Sequence, residues 1–213
     1  MKPPSPITVL LLDIGGVLLT NGWDRHMRSH AAEQFGLDYA DLDDRHGTTF
    51  DSFERGHISL ETYLRRVVFH RPRDFSPEEF KEFMFAQSRP LPGMLEFFRE
   101  VKRQNALRVA AVSNEGRELT EMRIRRFGLA TLMDFFICSC FVHCRKPDEA
   151  IFRLALDTLQ VAPEQALYID DRPQLVEVAQ SLGLHSFPHR NLETTRTALA
   201  GYGLTMPAFA ERQ

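Results

Sequence analysis

The sequence predicts a doubly wound α/β fold with a mainly parallel sheet and a small helical insertion after the first strand. Three short apolar runs support the sheet, because each run stops abruptly at polar residues. The runs are residues 7–12, 109–112 and 166–169, and the polar residues that follow are Asp13, Ser113 with Asn114, and Asp170 with Asp171. Continuous apolar runs of this length are typical of strands buried on both faces of a parallel sheet. Apolar stripes with helical spacing lie between them, which completes the α/β alternation.

The length and charge of the chain narrow the classes of protein to consider. A chain of 213 residues corresponds to one domain, or to one domain with a modest insertion. The 26 Lys and Arg residues are offset by 29 Asp and Glu residues, which gives a formal net charge of -3. Such a chain offers the phosphates of a nucleic acid no broad field of attraction, so we expect no nucleic acid partner.

The three cysteines, Cys138, Cys140 and Cys144, crowd one short segment. An odd, clustered count is a poor disulfide framework, so we predict a reducing compartment and a cytoplasmic location. Residues 1–20 contain a leucine-rich run, but Asp13 interrupts it and no small-residue cleavage pattern follows, so we do not expect a signal peptide. No uncharged apolar stretch approaches the ~20 residues of a membrane-spanning helix.

The insertion is predicted to cover residues 20–89, because strand patterns disappear there and helix start signals replace them. A Ser-Pro-Glu-Glu capping box at 76–79 precedes an apolar stripe, and Ser59 precedes another. We therefore predict an α/β core domain made of residues 1–19 and 90–213, interrupted by a helical cap domain.

The first polar residue after a strand, Asp13, begins the sequence Asp-Ile-Gly-Gly-Val. The two glycines, Gly15 and Gly16, permit a tight turn and the close approach of a ligand. The spacing differs from a dinucleotide-binding fingerprint, and a carboxylate here would face a pyrophosphate. Asp13 is therefore better suited to act as a nucleophile or a metal ligand.

Four motifs in order resemble those of the haloacid dehalogenase superfamily, in the branch with a small helical cap after the first strand. They are Asp13-Ile14-Gly15-Gly16-Val17, Val112-Ser113-Asn114, Arg145-Lys146-Pro147-Asp148 and Ile169-Asp170-Asp171-Arg172-Pro173. Residues 53–59, Phe-Glu-Arg-Gly-His-Ile-Ser, also resemble a cap segment of hexose phosphate phosphatases and of the N-terminal phosphatase domain of epoxide hydrolases. The resemblance implies a Rossmann-like core and a hydrolase.

This resemblance implies a Mg²⁺-dependent phosphatase of small phosphorylated metabolites that forms an aspartyl-phosphate on Asp13. Asp13, Asp171 and the backbone carbonyl of Gly15 are the implied metal ligands. Asp170 is either a further ligand or an acceptor that orients water. These are hard oxygen donors of the kind that Mg²⁺ prefers.

The same resemblance assigns the phosphate-binding and remaining catalytic residues. Lys146 brings a positive charge toward the nucleophile and the phosphoryl oxygens, so it is both catalytic and phosphate-binding. Ser113 shares both roles, and the Asn114 amide is expected to donate to the same oxygens.

One departure from the family pattern concerns the proton shuttle. Phosphatases of this family usually carry a second Asp two residues after the nucleophile, where this chain has Gly15. General acid-base catalysis contributes about 10²- to 10⁴-fold, so we expect slow turnover, a preference for good leaving groups, or help from another residue. Glu54, His26 and His46 are candidates, each of which also fits a surface residue.

Two alternatives stay open at this stage. A metal-independent 2-haloacid dehalogenase also uses the first Asp without a second acid, although the Asp170-Asp171 pair favours the metal-dependent phosphatase. A binding or regulatory protein could keep the phosphate pocket without turnover. No motif identifies the substrate or the oligomeric state.

Two further clusters receive structural interpretations. Residues 135–141 read as an apolar strand, so we interpret Cys138 and Cys140 as small buried residues rather than as zinc ligands. The arginines at 123, 125 and 126 are interpreted as the solvated face of a helix.

Overall fold

The computed structural model describes residues 7–207, and within this range five strands form one sheet in which all neighbouring strands run parallel. The strands are β1 (Val9–Leu12), β2 (Arg108–Ser113), β3 (Phe135–Cys138), β4 (Ala166–Asp170) and β5 (His185–Pro188). Their order across the sheet is β3-β2-β1-β4-β5. This arrangement confirms the doubly wound α/β fold, with β1 at the centre of the sheet.

The sheet is buried on both faces, which explains the unbroken apolar runs. Successive side chains of a strand point to opposite faces. Val9 and Leu11 accordingly belong to one apolar cluster, and Leu10 and Leu12 belong to another. All four side chains are fully buried. Within the described range, six α-helices accompany the sheet: α5 (Met94–Asn105), α6 (Arg117–Arg126), α7 (Ser139–Val142), α8 (Glu149–Leu159), α9 (Pro173–Ser181) and α10 (Leu192–Gly201).

The strand predicted at 135–141 is shorter than expected. β3 ends at Cys138, and the short helix α7 begins at Ser139. The fully buried Ser139 hydroxyl accepts the backbone N–H of Glu115 at 3.0 Å and donates to the backbone carbonyl of Glu54 at 2.6 Å. Cys138 and Cys140 are buried, and Cys144 is half-buried.

Four helices lie between β1 and α5, in the region where the sequence predicts the insertion. They are α1 (Arg25–Phe35), α2 (Tyr39–Glu54), α3 (Leu60–Val67) and α4 (Pro77–Ala86). Ser59 caps α3, and the capping box at Ser76 begins α4. These helices enclose an apolar cluster of their own around Tyr63 and Phe80. We call the part of the chain that contains these four helices the helical segment. The domain limits 1–19, 20–89 and 90–213 stay a prediction, and residues 1–6 and 208–213 lie outside the described range.

The two chain segments that connect the helical segment to the sheet lie side by side. The backbone N–H of Thr20 donates to the carbonyl of Arg89 at 2.8 Å, and its hydroxyl donates to the carbonyl of Gln87 at 2.6 Å. In return, the N–H of Arg89 donates to the Thr20 hydroxyl at 3.0 Å. We call residues 20–22 and 87–90 the two linkers.

The helices between residues 7 and 207 are short or amphipathic. None of them has both the length and the apolar character that a bilayer span requires.

Replacing glycine by alanine at two positions of the helical segment should change the stability of the protein in opposite directions. Gly56 has φ +69°, and a Cβ there would lie 2.3 Å from the carbonyl oxygen of Cys140, so we expect Gly56→Ala to lower the free energy of unfolding by more than about 1 kcal/mol. Gly47 lies inside α2, and a Cβ there would meet no heavy atom within 4 Å. Gly47→Ala should therefore raise the free energy of unfolding by about 1 kcal/mol. Urea unfolding measures both, and an unchanged Gly56→Ala variant would contradict this packing.

Candidate active site

Polar side chains meet at the carboxyl-terminal edge of the sheet. Asp13 follows β1, Ser113 ends β2 and Asp170 ends β4. Since β2, β1 and β4 are neighbours, the topology brings these three positions together. Asp13, Asp170 and Asp171 each offer a carboxylate oxygen within 4.8 Å of the others. Of these three residues, Asp13 lines a cavity of about 90 Å³, whose wall also includes Gly15, Ser113, Asn114 and Lys146.

Asp13 is almost fully buried, and its carboxylate is held on several sides. Its Oδ1 accepts the backbone N–H of Ile14 at 2.8 Å, and its Oδ2 lies 3.2 Å from the Nζ of Lys146. The Ser113 hydroxyl lies within hydrogen-bonding reach of both this carboxylate and the Oε1 of Glu115. Burial raises the pKa of Asp13 to about 7, because it outweighs the attraction of Lys146.

Lys146 is buried among carboxylates. Besides Asp13, its Nζ contacts the Oδ2 of Asp170 at 2.6 Å. Burial disfavours the charged ammonium, but the two carboxylates favour it more strongly and raise the pKa of Lys146. Lys146 therefore stays protonated and holds its charge against the nucleophile.

The Asn114 side chain contacts the backbone of Lys146. Its Nδ2 donates to the Lys146 carbonyl at 2.8 Å, and its Oδ1 accepts the Lys146 N–H at 2.9 Å. Both ends of the side-chain amide are thus engaged. The side chain therefore positions the Lys146 backbone, and the phosphate contact expected of the Asn114 amide stays a prediction.

Asp170 has partners for both of its oxygens. Its Oδ2 accepts from Lys146 and from the Tyr168 hydroxyl, and its Oδ1 accepts the backbone N–H of Arg172 at 2.8 Å. Burial raises the pKa of this carboxyl, but the Lys146 charge and the hydrogen bonds bring it below its usual value. Tyr168 was not identified from the sequence. The available signal was its place two residues before Asp170, which puts both side chains on one face of β4.

Asp171 is placed differently from Asp170. Its Oδ2 accepts from the Nδ2 of Asn21 at 3.3 Å, whereas its buried Oδ1 has no hydrogen-bond partner among residues 7–207. The carboxylate packs against Gly16, which has φ +74°, and a Cβ on Gly16 would lie 2.3 Å from the Asp171 carboxyl carbon. The loop after β1 thus leaves room for Asp171 beside Asp13.

These observations fit a divalent cation. Of the three carboxylates at the ends of β1 and β4, Asp13 and Asp170 share the ammonium of Lys146, whereas Asp171 has no ion pair among the described residues, so the cluster carries more negative than positive charge. A buried carboxylate oxygen without a partner is costly unless a donor or a cation reaches it. Hard carboxylate and carbonyl oxygens also suit Mg²⁺.

The space above Gly15 is filled by another side chain. A Cβ on Gly15 would lie 2.7 Å from the Oδ1 of Asn21, and Gly15 does not have a positive φ. The backbone at position 15 would therefore accept another residue, and Asn21 is what occupies the volume. Asn21 is a second pocket residue that the sequence did not reveal, since its contacts with positions 15 and 171 are tertiary.

The helical segment supplies the opposite wall of the cavity with Trp23, His46, Phe53 and Glu54. Of the three acids and bases considered from the sequence, Glu54 and His46 line the cavity, whereas His26 is exposed and is not part of its wall. Glu54 accepts from Arg145 at 2.6 Å, and burial raises its pKa against the attraction of that arginine.

A hydrogen-bond network sets the protonation of His46. The indole Nε1 of Trp23 donates to the Tyr63 hydroxyl at 2.8 Å, and that oxygen lies 2.8 Å from the Nδ1 of His46. An indole can only donate, so the buried Tyr63 proton goes to Nδ1 of His46, which places the imidazole proton on Nε2. Burial, with Arg28 and Arg145 nearby, lowers the pKa of His46 to about 4 despite the opposing charge of Asp43.

The prediction that the arginines at 123, 125 and 126 form a solvated helix face is wrong for Arg123. Its side chain is 1% exposed, because the guanidinium bonds to a buried carboxylate, Glu115, and to groups of both linkers. Arg125, on the same helix, is exposed as expected.

Comparisons with known proteins agree on a family. A model of haloacid dehalogenase-like hydrolases matches residues 7–183. Flavin mononucleotide hydrolase 1 of Arabidopsis thaliana is 28% identical over 167 residues, which make up 78% of this chain and 66% of that protein. A phosphorylated carbohydrates phosphatase of Thermotoga maritima is 34% identical over 126 residues, or 59% of this chain and 54% of that protein. The chain thus spans between half and two thirds of the length of these relatives.

Solved structures show the same fold. A HAD family enzyme of Bacteroides thetaiotaomicron, crystallised as a magnesium complex, superposes with a TM-score of 0.79 at 18% identity. The match covers 92% of this chain and 99% of that one, so the two chains share most of their fold.

The neutral His46 predicts a pH dependence of stability. Between pH 6.5 and about 4 the unfolded chain binds a proton on His46 that the folded chain does not bind, so the free energy of unfolding should rise with pH across this window. In His46→Gln we expect a shallower rise there, by up to one proton, and the same slope as wild type near pH 7.5. Urea unfolding between pH 4.5 and 7.5 measures this, and identical slopes throughout would contradict it.

Proposed function

Because this chain belongs to the haloacid dehalogenase-like hydrolase family, we propose that it is a Mg²⁺-dependent phosphatase of small phosphorylated metabolites. The observation that carries the proposal is the buried Asp13 carboxylate between Lys146 and Ser113, with the unpartnered Oδ1 of Asp171 beside it. We also propose that residues 20–89 act as the cap of this enzyme and that residues 1–19 and 90–213 form its core. The names of two relatives, a phosphorylated carbohydrates phosphatase and a flavin mononucleotide hydrolase, support the class of substrate.

In the proposed reaction Asp13 is the nucleophile. A carboxylate oxygen of Asp13 forms a bond to phosphorus while the bond between phosphorus and the ester oxygen breaks, which yields an aspartyl-phosphate and an alkoxide that takes a proton. Water then attacks the phosphorus, and the bond to Asp13 breaks, which releases inorganic phosphate and restores the carboxylate. Each step places negative charge at the end of β1.

Lys146 and Ser113 act on this charge. The Lys146 ammonium, held by Asp170 and by the Asn114 clamp on its backbone, faces the nucleophile at 3.2 Å. It offsets the repulsion between Asp13 and the phosphoryl dianion and costs no reorganisation, because its position is fixed. The Ser113 hydroxyl can turn from Glu115 to a phosphoryl oxygen.

The proposed Mg²⁺ ligands are Asp13, the backbone carbonyl of Gly15, and Asp171. When bound, the cation neutralises phosphoryl charge and aligns the phosphate with the nucleophile. The Oδ1 of Asp171 is the free donor of the acidic pair, whereas both oxygens of Asp170 are engaged. Of the two roles considered for Asp170, we therefore propose that it positions Lys146 rather than binding the metal directly.

The cavity lacks the acid that phosphatases of this family usually direct at the leaving group, because Gly15 stands in place of the second Asp. Asn21 occupies the space of the missing side chain at position 15, and an amide does not transfer protons at neutral pH. His46 is held neutral by its buried network and can donate through Nε2, but its low pKa makes it a poor proton acceptor near pH 7. We therefore propose that turnover is slow and depends on the quality of the leaving group.

The decisive experiment is the hydrolysis of p-nitrophenyl phosphate with and without Mg²⁺, because this leaving group hardly needs an acid. We expect turnover that requires Mg²⁺, is lost in Asp13→Asn, and is unchanged in Asp157→Asn, which replaces an exposed carboxylate on α8. Metal-independent halide release from a 2-haloacid would instead support a dehalogenase. Binding of inorganic phosphate without turnover of any ester would support the binding-protein alternative.

A second experiment tests the missing acid. Gly15→Asp combined with Asn21→Ala makes room for a carboxylate two residues after Asp13, so hydrolysis of alkyl phosphates should rise by about 10²-fold over Asn21→Ala alone. Hydrolysis of p-nitrophenyl phosphate should change little. Gly15→Asp without the second substitution should gain less, because Asn21 still fills the space. An equal gain for both esters would contradict a role in proton transfer.

A further inference from the structure

Arg123 lies at a junction of three parts of the molecule. It comes from α6 and is part of the cavity wall, and its side chain is 1% exposed. Its Nε donates to the Ser88 hydroxyl at 2.9 Å, and its Nη2 donates to the Thr20 carbonyl at 3.0 Å. Ser88 and Thr20 belong to different linkers. One guanidinium therefore holds both connections between the helical segment and the sheet.

The first linker is shaped around this guanidinium. A Cβ on Gly22 would lie 2.2 Å from the Nη2 of Arg123, so the chain approaches as closely as a glycine allows. A Cβ on Gly15 would lie 3.7 Å from its Nη1. The Arg123 guanidinium thus lies between the loop that carries Asp13 and the start of the helical segment.

The third nitrogen of the Arg123 guanidinium is connected to the end of the cavity that Ser113 and Lys146 line, which we call the phosphate end. Its Nη1 forms an ion pair with Oε1 of Glu115, which is 6% exposed. The same Oε1 lies 3.3 Å from the Ser113 hydroxyl, and Oε2 accepts from Thr120 at 3.4 Å. Glu115 therefore joins Arg123 directly to the serine proposed to bind phosphate.

Stability alone does not account for such a pair. Desolvating two charges is expensive, and a well-packed apolar pair of similar size often serves a buried site as well or better. What the planar guanidinium offers is a fork with fixed directions, which here point to a carbonyl, a hydroxyl and a carboxylate on three separate segments. An apolar side chain would fill the volume without fixing these directions.

We propose that Arg123 is a positioning residue that sets the distance between the helical wall of the cavity and its phosphate end. It fixes both linkers relative to Ser113, so that His46, Phe53 and Trp23 meet the leaving group while the phosphate contacts Ser113 and Lys146. The kinetic part of this inference rests on the proposed phosphatase function, whereas its structural part does not.

The test uses the full chain with Glu115→Gln and Arg123→Met together, since removing one charge alone would leave the other buried and unpaired. Arg125→Met on the same helix is the matched control, because that arginine is exposed. Three quantities are measured in the presence of Mg²⁺: amide hydrogen exchange of the two linkers, the Kd of inorganic phosphate by calorimetry, and kcat and KM for p-nitrophenyl phosphate.

We expect the linkers of the double variant to exchange at least about tenfold faster, since two of their bonds are lost. Its kcat/KM should fall by about 10²-fold, because misplacement of about 1 Å has this effect on a reaction that depends on orientation. The Kd of inorganic phosphate should stay within about threefold of wild type, because phosphate contacts only the end that keeps Ser113 and Lys146. The control should match wild type in all three.

Two results would overturn the inference. A folded double variant with wild-type linker exchange and wild-type kcat/KM would make the pair structural only. A weakening of phosphate binding as large as the loss of kcat/KM would mean that the pair acts on Ser113 directly and not through the linkers. If wild type hydrolyses no phosphate ester, the proposed function fails, and hydrogen exchange still decides whether Arg123 fixes the linkers.

Discussion

The site is governed by an imbalance of charge at the end of the central strand. Asp13, Asp170 and Asp171 meet where β1 and β4 end, and within the described chain the buried ammonium of Lys146 contacts only the first two of them. Carboxylates at this density repel one another and lose hydration, so the surrounding structure must supply donors or admit a cation. Tyr168 and a backbone N–H satisfy Asp170, and Asn21 satisfies one oxygen of Asp171. The remaining deficit of positive charge is one that a divalent cation can fill.

The position of β1 at the centre of the sheet makes this crowding possible. A strand inside a parallel sheet has neighbours on both sides whose carboxyl ends reach the same edge. β2 brings Ser113 from one side, and β4 brings the acidic pair from the other. The glycine at position 16 then allows Asp171 to come against the loop that follows β1. The fold thus concentrates polar groups at one edge while both faces of the sheet stay apolar.

Much of this could be read from the sequence because the strand ends are local signals. A buried strand is an apolar run, and a polar residue at its end must face the sheet edge, which located Asp13, Ser113 and the acidic pair. β5 carries no such signal, since His185–Pro188 is short and partly polar. Arg123 was misread because it stands in a run of charged residues that looks solvated, and its burial depends on acceptors about 35 and 103 residues away. Asn21 was missed for the same reason, since its partner Asp171 lies 150 residues away. Tyr168 was missed although its partner Asp170 follows it by two residues on the same strand.

The way Asn21 fills the space above Gly15 ties the evolutionary fates of the two positions together. A carboxylate at position 15 introduced by one substitution would crowd the amide oxygen of Asn21, which lies 2.7 Å from the Cβ position. Replacing Asn21 first would remove the hydrogen-bond donor to Asp171 without supplying an acid at position 15. The two positions are therefore coupled, because the gain from a carboxylate at position 15 depends on which residue stands at position 21.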